Sequence, residues 1–599
     1  MKKEVTRTWI VEKTTRLSEL MIQEGGSIAA PEGKFVYMTV DGVGRDILPG
    51  RYRGEIVLSV AETYHMTPHS LLRMTNRSKE FRNALVVDTS EGKVVDEKSV
   101  PAAIQGGTIS GKEVDGAYIA SSAESFNGIL AIGSGSYTVK NTRIEMEGFG
   151  ENDFVGMGSG IEAIDKVDLT IEDCDIQVNG VTRTSVHVGG DSHVLVKNTR
   201  IQNTSPDSDW LGDFSWACGF TGTNRLCQLT DNGSVRYENC HLKTNGWGIL
   251  SIDGTLKHND MVIKDSRLEL SGPRAHGYGA FCIGGNHVRM EGCDVRVNGY
   301  PLLLRGMEDQ GRAEIIDTRI SGRRFGVMAM GDTHSVLTIE GSSFRTDKST
   351  LVFKGSATEI NVKNTEMVPG NGVIMQLMDN DEGGMNAQDF HVPLGETDVP
   401  DSSHDLTAVG NDDIRLNLTD CTLTGDFYNS TSNIRANKRS TMGGMGKFHD
   451  AVIGVMAPPT MAALPEGEEI PAEFTMEKVD LDVAKNLAVT LRSTSITGVI
   501  SSAAQKYRDG LTLIDESNRL EMSNITQTAA PTVNNGVIVC LDAKSKWTVT
   551  GTSYITKLVL ASGAAVTGPE GQRVWMSVDG VETNIAPGTY TGRIILRVS

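Results

Sequence analysis

Short segments of alternating apolar and polar residues recur through the middle of the chain, each interrupted by an Asp, Asn or Gly before a small residue. Examples are VKNTRIEM at 139–146, IEDCDIQV at 171–178 and VKNTRIQN at 196–203. Alternation with period two predicts short strands, and the polar interruption predicts a bend between two of them.

The small residue after each bend marks one position of a repeat whose closest spacings are 23 to 27 residues. A strand-rich repeat of this length predicts an all-β fold built from the coils of a parallel β-helix, a solenoid. Cysteines at the marked position are expected to be interior and unpaired. The marked residues are Thr142, Cys174, Thr199, Cys240, Ser266, Cys293, Thr318, Ser342, Thr365 and Cys421.

A second repeat joins the two ends of the chain. Residues 9–60 align without a gap with residues 547–598, with 22 identities in 52 positions. Both copies contain a PEG, a VDGV and a PG element, and the Asp-Gly pair predicts a β-hairpin. We expect twin β modules that close the open ends of the structure between them.

These repeats resemble the right-handed parallel β-helix proteins of the pectate-lyase-like class over roughly residues 100–560. The tail, with WTVTGTSYITKL followed by the PEG, VDGV and PGTY elements, is similar to that of a largely uncharacterised group from anaerobic bacteria. The resemblance implies the fold and no particular activity. Of the elements expected in a pectin-cleaving hydrolase of this fold, only the Asp412-Asp413 pair is present.

The predicted organisation has four parts. These are a β module at 1–60, a connecting or covering segment at 61–100, a β-helix at 101–546, and a β module at 547–599 that is homologous to 9–60. Long gaps between marked residues predict insertions at about 204–232, 378–414 and 427–472, which we expect to fold over one side of the β-helix.

Charge and targeting signals narrow the class of function. The formal charge is 57 − 76 = −19, which argues against a nucleic-acid partner. The charged first twenty residues lack the apolar run of a secretory signal, and no apolar stretch is long enough for a membrane helix, so we expect a cytoplasmic protein without a membrane partner.

In each coil a strand precedes the bend, and its predicted outward residues form an apolar stripe that something must cover: loops, a ligand or a second copy in a homo-oligomer. The stripe includes Leu130, Glu162, His187, Leu250, Ile252, Phe281, Leu303, Arg305, Met328, Val352, Lys354 and Gln376. Glu162 and His187 lie twelve residues before successive marked residues, which predicts that they stack about 4.8 Å apart.

A carboxylate beside an imidazole under a cover predicts a general acid/base pair, so Glu162, His187 and Arg305 are the candidate catalytic residues. The alternative is that Glu162 and His187 form a structural pair. The candidate substrate-binding residues are Trp247, Tyr278, Phe281, Arg323 and Gln376.

The sequence leaves metal binding open. His65 and His69 lie near two methionines and are candidate copper ligands. The acidic residues Asp379, Asp381, Asp412 and Asp413 are candidates for calcium or magnesium, and a solvated acidic loop is the alternative. No motif for a nucleotide cofactor is present.

Together these features predict an enzyme that acts on a small polyhydroxylated ring, phenolic or sugar-derived, by acid/base chemistry. Isomerase, lyase and hydroxyl-transferase reactions all remain open. The alternative is a non-enzymatic binding or structural β-helix protein, adhesin-like or oligomer-forming.

Overall fold

A computed structural model describes the chain except residues 1, 24, 32–33, 41–42, 46, 48, 62–81, 124–125, 149–155, 157, 181–182, 205–223, 247, 253–257, 272–276, 306–309, 331–334, 355–357, 380, 382–391, 394–404, 412, 432–484, 512 and 515. As far as they are described, residues Met1–Gly254 and Glu269–Pro273 form one compact unit. Residues Thr255–Leu268, Arg274–Lys447 and Met476–Ser599 form the other. Within the described residues, no helix has the length and apolar character needed to cross a membrane.

The fold is a right-handed parallel β-helix, as the sequence predicts. Each complete coil contains three strands, and these pair in parallel with the corresponding strands of the next coil, except that the third strands Glu366–Pro369 and Thr422–Thr424 belong to separate sheets. We call these the first, second and third strands of a coil, in chain order. The alternating sequence pattern is explained by this geometry, because every second side chain of a strand points into the coil.

The coils of the first unit have three rows of strands. Its first strands are Arg82–Asp88, Phe126–Ile132, Ile161–Ala163, Thr184–Val188, Arg225–Leu229 and Gly248–Ile252. Its second strands are Glu113–Asp115, Ser136–Lys140, Asp168–Glu172, His193–Lys197 and Ser234–Glu238. Its third strands are Tyr118–Ser121, Arg143–Glu147, Asp175–Asn179, Arg200–Thr204 and His241–Thr244.

The second unit continues the same plan. Its first strands are Tyr278–Ile283, Tyr300–Arg305, Val327–Met330, Leu351–Lys354, Val373–Met378, Asp426–Asn429 and Ile500–Tyr507. Its second strands are Asp260–Lys264, His287–Glu291, Gly311–Ile316, Ser335–Glu340, Thr358–Lys363, Ile414–Thr419, Leu487–Arg492 and Val537–Leu541. Its third strands are Asp294–Val297, Arg319–Gly322, Ser343–Thr346, Glu366–Pro369, Thr422–Thr424, Ser495–Gly498 and Lys546–Val549, and Arg267–Leu270 has residues in both units.

The remaining elements lie at the ends and edges of the coils. The N-terminal module contains Lys2–Val5, Thr8–Ile10, Thr15–Ile22, Ser27–Ala29, Phe35–Val40, Val43–Arg45 and Gly50–Ala61. The C-terminal module contains Ser553–Leu560, Ala565–Thr567, Val574–Val578, Val581–Thr583 and Gly588–Val598. Other short strands are Lys93–Val94, Ile104–Gln105, Thr108–Ile109, Val392–Pro393, Leu513–Ile514 and Ile525–Ala529, and the 3₁₀ turns are Asp96–Lys98, Pro101–Ala103, Arg508–Gly510 and Glu516–Glu521.

The bend between the second and third strands explains the marked residue of the repeat. The residue before it has a positive φ, as Asp173 does at 52°, which Asn, Asp and Gly tolerate best. The marked side chain is buried and donates to the carbonyl two residues earlier, as Thr318 does to Ile316 at 2.8 Å. Thr318 also accepts a hydrogen bond from the backbone N–H of Cys293 in the preceding coil, at 3.2 Å. The stacked side chains of the marked residues therefore link neighbouring coils as well as filling them.

The predicted interior cysteines are confirmed. Cys174, Cys240, Cys293 and Cys421 are all buried and free of disulfides. Burial raises the pKa of the first three thiols to about 11. These cysteines serve as small interior side chains.

Three sequence-based boundaries change in the structure. Arg82–Asp88 pairs with Phe126–Ile132, so the coils begin inside the segment predicted to be connecting. Arg225–Leu229 and Asp426–Asn429 are first strands, although the predicted insertion at 204–232 includes the former and that at 427–472 overlaps the latter. First strands lack the bend motif, so sequence spacing alone does not reveal them.

The N-terminal edges of the first coil are paired with three short antiparallel strands, Lys93–Val94, Ile104–Gln105 and Thr108–Ile109. Within the described residues, no strand of the N-terminal module pairs with these edges. The C-terminal module continues the coils directly, because Ser553–Leu560 pairs in parallel with Val537–Leu541.

Candidate functional site

The first strands of the first unit bring the predicted acid/base pair together. Glu162 and His187 are directly opposite each other in adjacent parallel strands. The carboxylate oxygen Oε1 of Glu162 lies 3.4 Å from Nδ1 of His187. Glu162 is 5% exposed and His187 is 1% exposed, so the pair is enclosed by protein.

An asparagine positions the other side of the carboxylate. The side-chain amide of Asn127 donates to Oε2 of Glu162 at 3.3 Å and to Oδ1 of Asn83 at 3.0 Å. Its carbonyl oxygen accepts hydrogen bonds from the backbone N–H groups of Gly158 and Ser159, at 2.7 and 3.0 Å. Asn127 thus fixes the carboxylate and the start of the next coil at once.

Gly156 packs its backbone against the pair. Its φ is +73°, and an added Cβ would lie 2.4 Å from Oε1 of Glu162 and 2.7 Å from Nδ1 of His187. Only glycine satisfies both the backbone conformation and the space at this position. The backbone at Gly156 is therefore part of the cover over the pair.

The polar row extends beyond the predicted residues. Gln228 is buried, and the strand register places it opposite His187 in the preceding first strand and opposite Ser251 in the next. Gln228 is not among the predicted site residues because its strand lies in a predicted insertion. The same register places Leu250 and Ile252 in the interior row with Cys227 and Leu229, so their predicted outward orientation is wrong.

A buried arginine holds the chain around this site. Arg183 is fully buried, and its guanidinium donates to five backbone carbonyls at 2.7 to 3.1 Å. One of these carbonyls belongs to Gly158, two residues after Gly156 in the sequence. Five backbone acceptors satisfy the five N–H donors of a guanidinium. Arg183 therefore acts as a structural clamp. The five acceptors are Ala123, Phe126, Glu147, Gly148 and Gly158.

The predicted site residues Arg305 and Arg323 lie in the second unit. Arg305 is the last residue of its first strand, where it pairs with Ile283 and Met330. Arg323 is exposed, and its backbone N–H donates to the carbonyl of Val297 at 2.9 Å. The described structure thus places Arg305 in a different unit from Glu162 and His187, and its catalytic role remains a prediction.

The predicted aromatic substrate-binding residues Tyr278 and Phe281 differ in burial. Tyr278 is buried at the start of its strand, in the same alternating row as Ala280 and Cys282. Its ring centroid lies 5.4 Å from that of the half-buried Phe281, with the planes tilted by 51°. Trp247 lies outside the described residues. The two rings are thus in contact, and the substrate-binding role of Tyr278 and Phe281 remains a prediction.

A segment of the chain contacts part of the predicted stripe of the second unit. We call residues 507–529 the strap. Gln376 is buried beneath it, where its amide donates to the carbonyl of Ser523 at 2.9 Å and its oxygen accepts from the Ser349 hydroxyl at 2.6 Å. Arg324 donates to the strap carbonyls of Leu520 and Met522 at 2.8 and 2.7 Å. Gln376 therefore anchors the strap.

A buried ion pair completes this anchorage. Nζ of Lys354 lies 2.7 Å from Oδ1 of Asp381, and both side chains are almost completely buried. Oδ2 of Asp381 accepts hydrogen bonds from the Tyr507 hydroxyl at 2.9 Å and from the Ser523 backbone N–H at 2.6 Å. Asp381, a predicted candidate for cation binding, thus pairs with a lysine in the structure.

Of the other candidate metal ligands, Asp379 and Asp413 lie among the described residues. Asp413 is buried and accepts hydrogen bonds from the backbone N–H groups of Gly410 and Asn486, at 2.7 and 2.8 Å. His65, His69 and Asp412 lie outside the described residues, and Asp379 is buried. Among the residues that the structure describes, no group of three or more His, Cys, Asp or Glu side chains is placed to hold a metal ion.

Comparison with known proteins agrees with the fold. Residues 102–295 match the family model described as a right handed beta helix region. No curated protein matches the chain. The chain is thus a β-helix repeat protein, and the geometry of its own residues must supply any functional assignment.

Proposed function

We propose that this protein is a cytoplasmic enzyme that uses Glu162 and His187 as a general acid/base pair on a small polyhydroxylated ring, phenolic or sugar-derived. The observation that supports the proposal is the enclosed pair itself, with Oε1 3.4 Å from Nδ1. A carboxylate against one imidazole nitrogen stabilises the protonated ring, which a base requires once it has taken a substrate proton.

The surrounding residues fit this role. Asn127 restrains the second carboxylate oxygen, so the pair keeps its geometry without reorganisation. Gln228 follows His187 in the row and supplies an amide that can orient a substrate hydroxyl. In this proposal, access of a substrate to the enclosed pair requires displacement of the Gly156 backbone.

Proton transfer to or from carbon is common to isomerases and lyases, and it gives a direct test. The protein is incubated in D₂O with a panel of sugar acids and polyhydroxylated phenols, and each compound is examined by mass spectrometry for a deuterium at carbon. We expect the protein to label at least one compound, and Glu162→Gln and His187→Gln to reduce labelling at least a hundredfold. A hydroxyl-transferase reaction on the same ring would be detected as a rearranged product in the same spectra.

The matched control is His193→Gln. His193 is an exposed histidine in the same unit, where it contacts the Ser234 hydroxyl at 2.7 Å. Its substitution should leave labelling unchanged. Equal labelling by Glu162→Gln would contradict the proposal, and a panel without labelling would favour the alternative of a binding or structural protein.

One observation favours that alternative. In the second unit, Gln376 of the predicted stripe donates directly to the strap, and Lys354 is linked to it through Asp381. These two polar residues of the stripe thus hold another part of the protein's own chain. A non-enzymatic reading would extend this structural use to Glu162 and His187 as well.

A further inference from the structure

The two terminal modules have the same strand register, position by position. Leu17 pairs with Ile56 in one, and the equivalent Ile555 pairs with Ile594 in the other. The break in register falls at the same point in both, between Leu17 and Glu19 and between Ile555 and Lys557. The modules are therefore equivalent structures as well as related sequences.

The equivalence includes the last coil of the β-helix. In the C-terminal module, Ile538–Leu541 pairs in parallel with Lys557–Leu560. In the N-terminal module, Lys2–Val5 pairs in parallel with Glu19–Ile22, which are the equivalent four positions. The short strand Lys2–Val5 thus takes the place that a β-helix coil occupies in the other copy.

The short strand Thr8–Ile10 likewise takes the place of a β-helix strand, the third strand Lys546–Val549 of the other copy. Trp9 pairs with Ile28 in the N-terminal module, and the equivalent Trp547 pairs with Val566 in the C-terminal module. The N-terminal module is thus built like the cap of a C-terminal β-helix end, complete with part of the last coil.

The two caps differ in what lies beyond that coil. In the C-terminal copy, Leu487–Leu491 pairs with Val537–Leu541, and Ser495–Gly498 pairs with Lys546–Val549. Within the described residues of the N-terminal copy, no strand pairs with the outer edge of Lys2–Val5 or Thr8–Ile10. We call this outer edge the open edge.

Side-chain burial records the same difference. Trp547 is 0% exposed, and its Nε1–H donates to the carbonyl of Gly498 in the neighbouring coil at 3.0 Å. The equivalent Trp9 is half-exposed, with the Lys3 ammonium 4.9 Å from its ring centroid. Next to it, Ile10 is 54% exposed. The open edge thus has apolar side chains at positions that face a coil in the other copy.

From this we infer that the N-terminal module is a docking module whose ligand is the open C-terminal coil of a parallel β-helix. Binding would add two parallel strands to the open edge, as β-strand addition does elsewhere. By equivalence with the C-terminal copy, Trp9 would face the position of Ile496, and Val5 the position of Leu491. The charged residues of Lys2–Val5 would discourage indiscriminate edge pairing.

The protein itself provides a probe for this interaction. In the full-length chain, the coil of residues 487–498 pairs with the last coil, residues 537–549, which leads into the C-terminal module. Because this partner belongs to the same chain, its effective concentration is high and a second module cannot bind in its place. Trp547→Glu places a charge in the fully buried contact and should release that module. Adding Ile10→Lys to this variant weakens its own open edge. The resulting full-length double variant, called the receptor, exposes the coil of residues 487–498 and should not bind a second copy of itself.

The receptor is mixed with wild-type protein, and mass is measured by light scattering after size-exclusion chromatography. We expect a 1:1 complex of twice the chain mass of 64.5 kDa. Protein with Ile10→Lys in place of wild type should bind at least tenfold more weakly. The matched control is Val581→Lys, which places the same charge at a 68% exposed apolar residue outside the open edge and should bind like wild type.

A thiol reagent checks that the receptor is folded. In a folded receptor, the buried Cys421 should stay protected from the reagent. If Trp547→Glu exposes Cys421, Trp547→Leu takes its place, because it removes the hydrogen bond to Gly498 and keeps an apolar side chain. A folded receptor that does not bind wild-type protein overturns the inference. Equal binding of wild type and Ile10→Lys also overturns it.

Discussion

The buried pair of Lys354 and Asp381 gives the sharpest test of how the strap is held. Asp381→Asn keeps the size of the side chain and removes its charge, so the ammonium of Lys354 loses the carboxylate that lies 2.7 Å away. Breaking a buried ion pair from one side costs about 3 to 5 kcal/mol. We expect the free energy of opening the strap to fall by that amount.

The double variant Lys354→Met/Asp381→Asn removes both charges. The asparagine oxygen can still accept from the Ser523 N–H, so only the pairing and part of one hydrogen bond are lost. Its expected cost is about 1 to 2 kcal/mol, which is less than that of the single substitution. This inversion, in which two changes cost less than one, is specific to a buried ion pair.

The matched control is a surface pair of the same length. Nζ of Lys363 lies 2.7 Å from Oε1 of Glu340, and both side chains are about half exposed. Glu340→Gln should cost no more than about 1 kcal/mol, because water screens the pair. Hydrogen exchange of peptides from Ile500–Tyr507 and Ile525–Ala529 measures strap opening, since a chain of this size does not unfold in one step. Equal costs for Asp381→Asn and the double variant would refute the reasoning.

Four shorter predictions test the coils, the cover and the surface. Native protein should react with a thiol reagent at Cys174, Cys240 and Cys293 only after unfolding, and rapid native labelling would contradict the interior ladder. Thr318→Cys should cost less than about 1 kcal/mol, because other coils carry cysteine at this position, whereas Thr318→Leu should cost about 1 to 3 kcal/mol by overpacking, as measured by hydrogen exchange of peptides from the surrounding coils. Gly156→Ala should displace the cover and change the imidazole NMR signals of His187, and unchanged signals would contradict the close contact. A hydrogen bond with Asp260 raises the pKa of His287 in the folded protein. That stabilisation is complete below the unfolded pKa of about 6.5 and is lost as pH rises through the raised folded value, so His287→Gln should destabilise at pH 5.5 and much less at pH 9.

Local sequence pattern predicted the parts of the fold that depend on local chemistry. The bend needs a residue that tolerates positive φ and a small side chain after it, so Asp173 and Cys174 identify it in the sequence. The stacking of Glu162 on His187 follows from equal spacing to successive bends. These relations hold within one or two coils, where the register is fixed by hydrogen bonds.

First strands are harder to place because no such chemistry marks them. Both faces of these strands are buried, so the alternation that reveals an exposed face is lost. Arg225–Leu229 therefore looked like part of an insertion, and the wrong parity was assigned to Leu250. The register of a buried strand is fixed by its neighbours, and a shift of one residue exchanges inside for outside.

The role of an outward polar residue depends on a cover that comes from elsewhere in the chain. Gln376 and Lys354 are held by partners as far away as Ser523, so nothing near them in sequence distinguishes an anchor from a binding residue. Glu162 differs, because glycine backbone at Gly156 covers it from within the same coil. The strap uses polar groups beneath it as anchors, whereas Glu162 and His187 face each other next to the backbone of Gly156. This contrast is why we propose acid/base chemistry in the first unit.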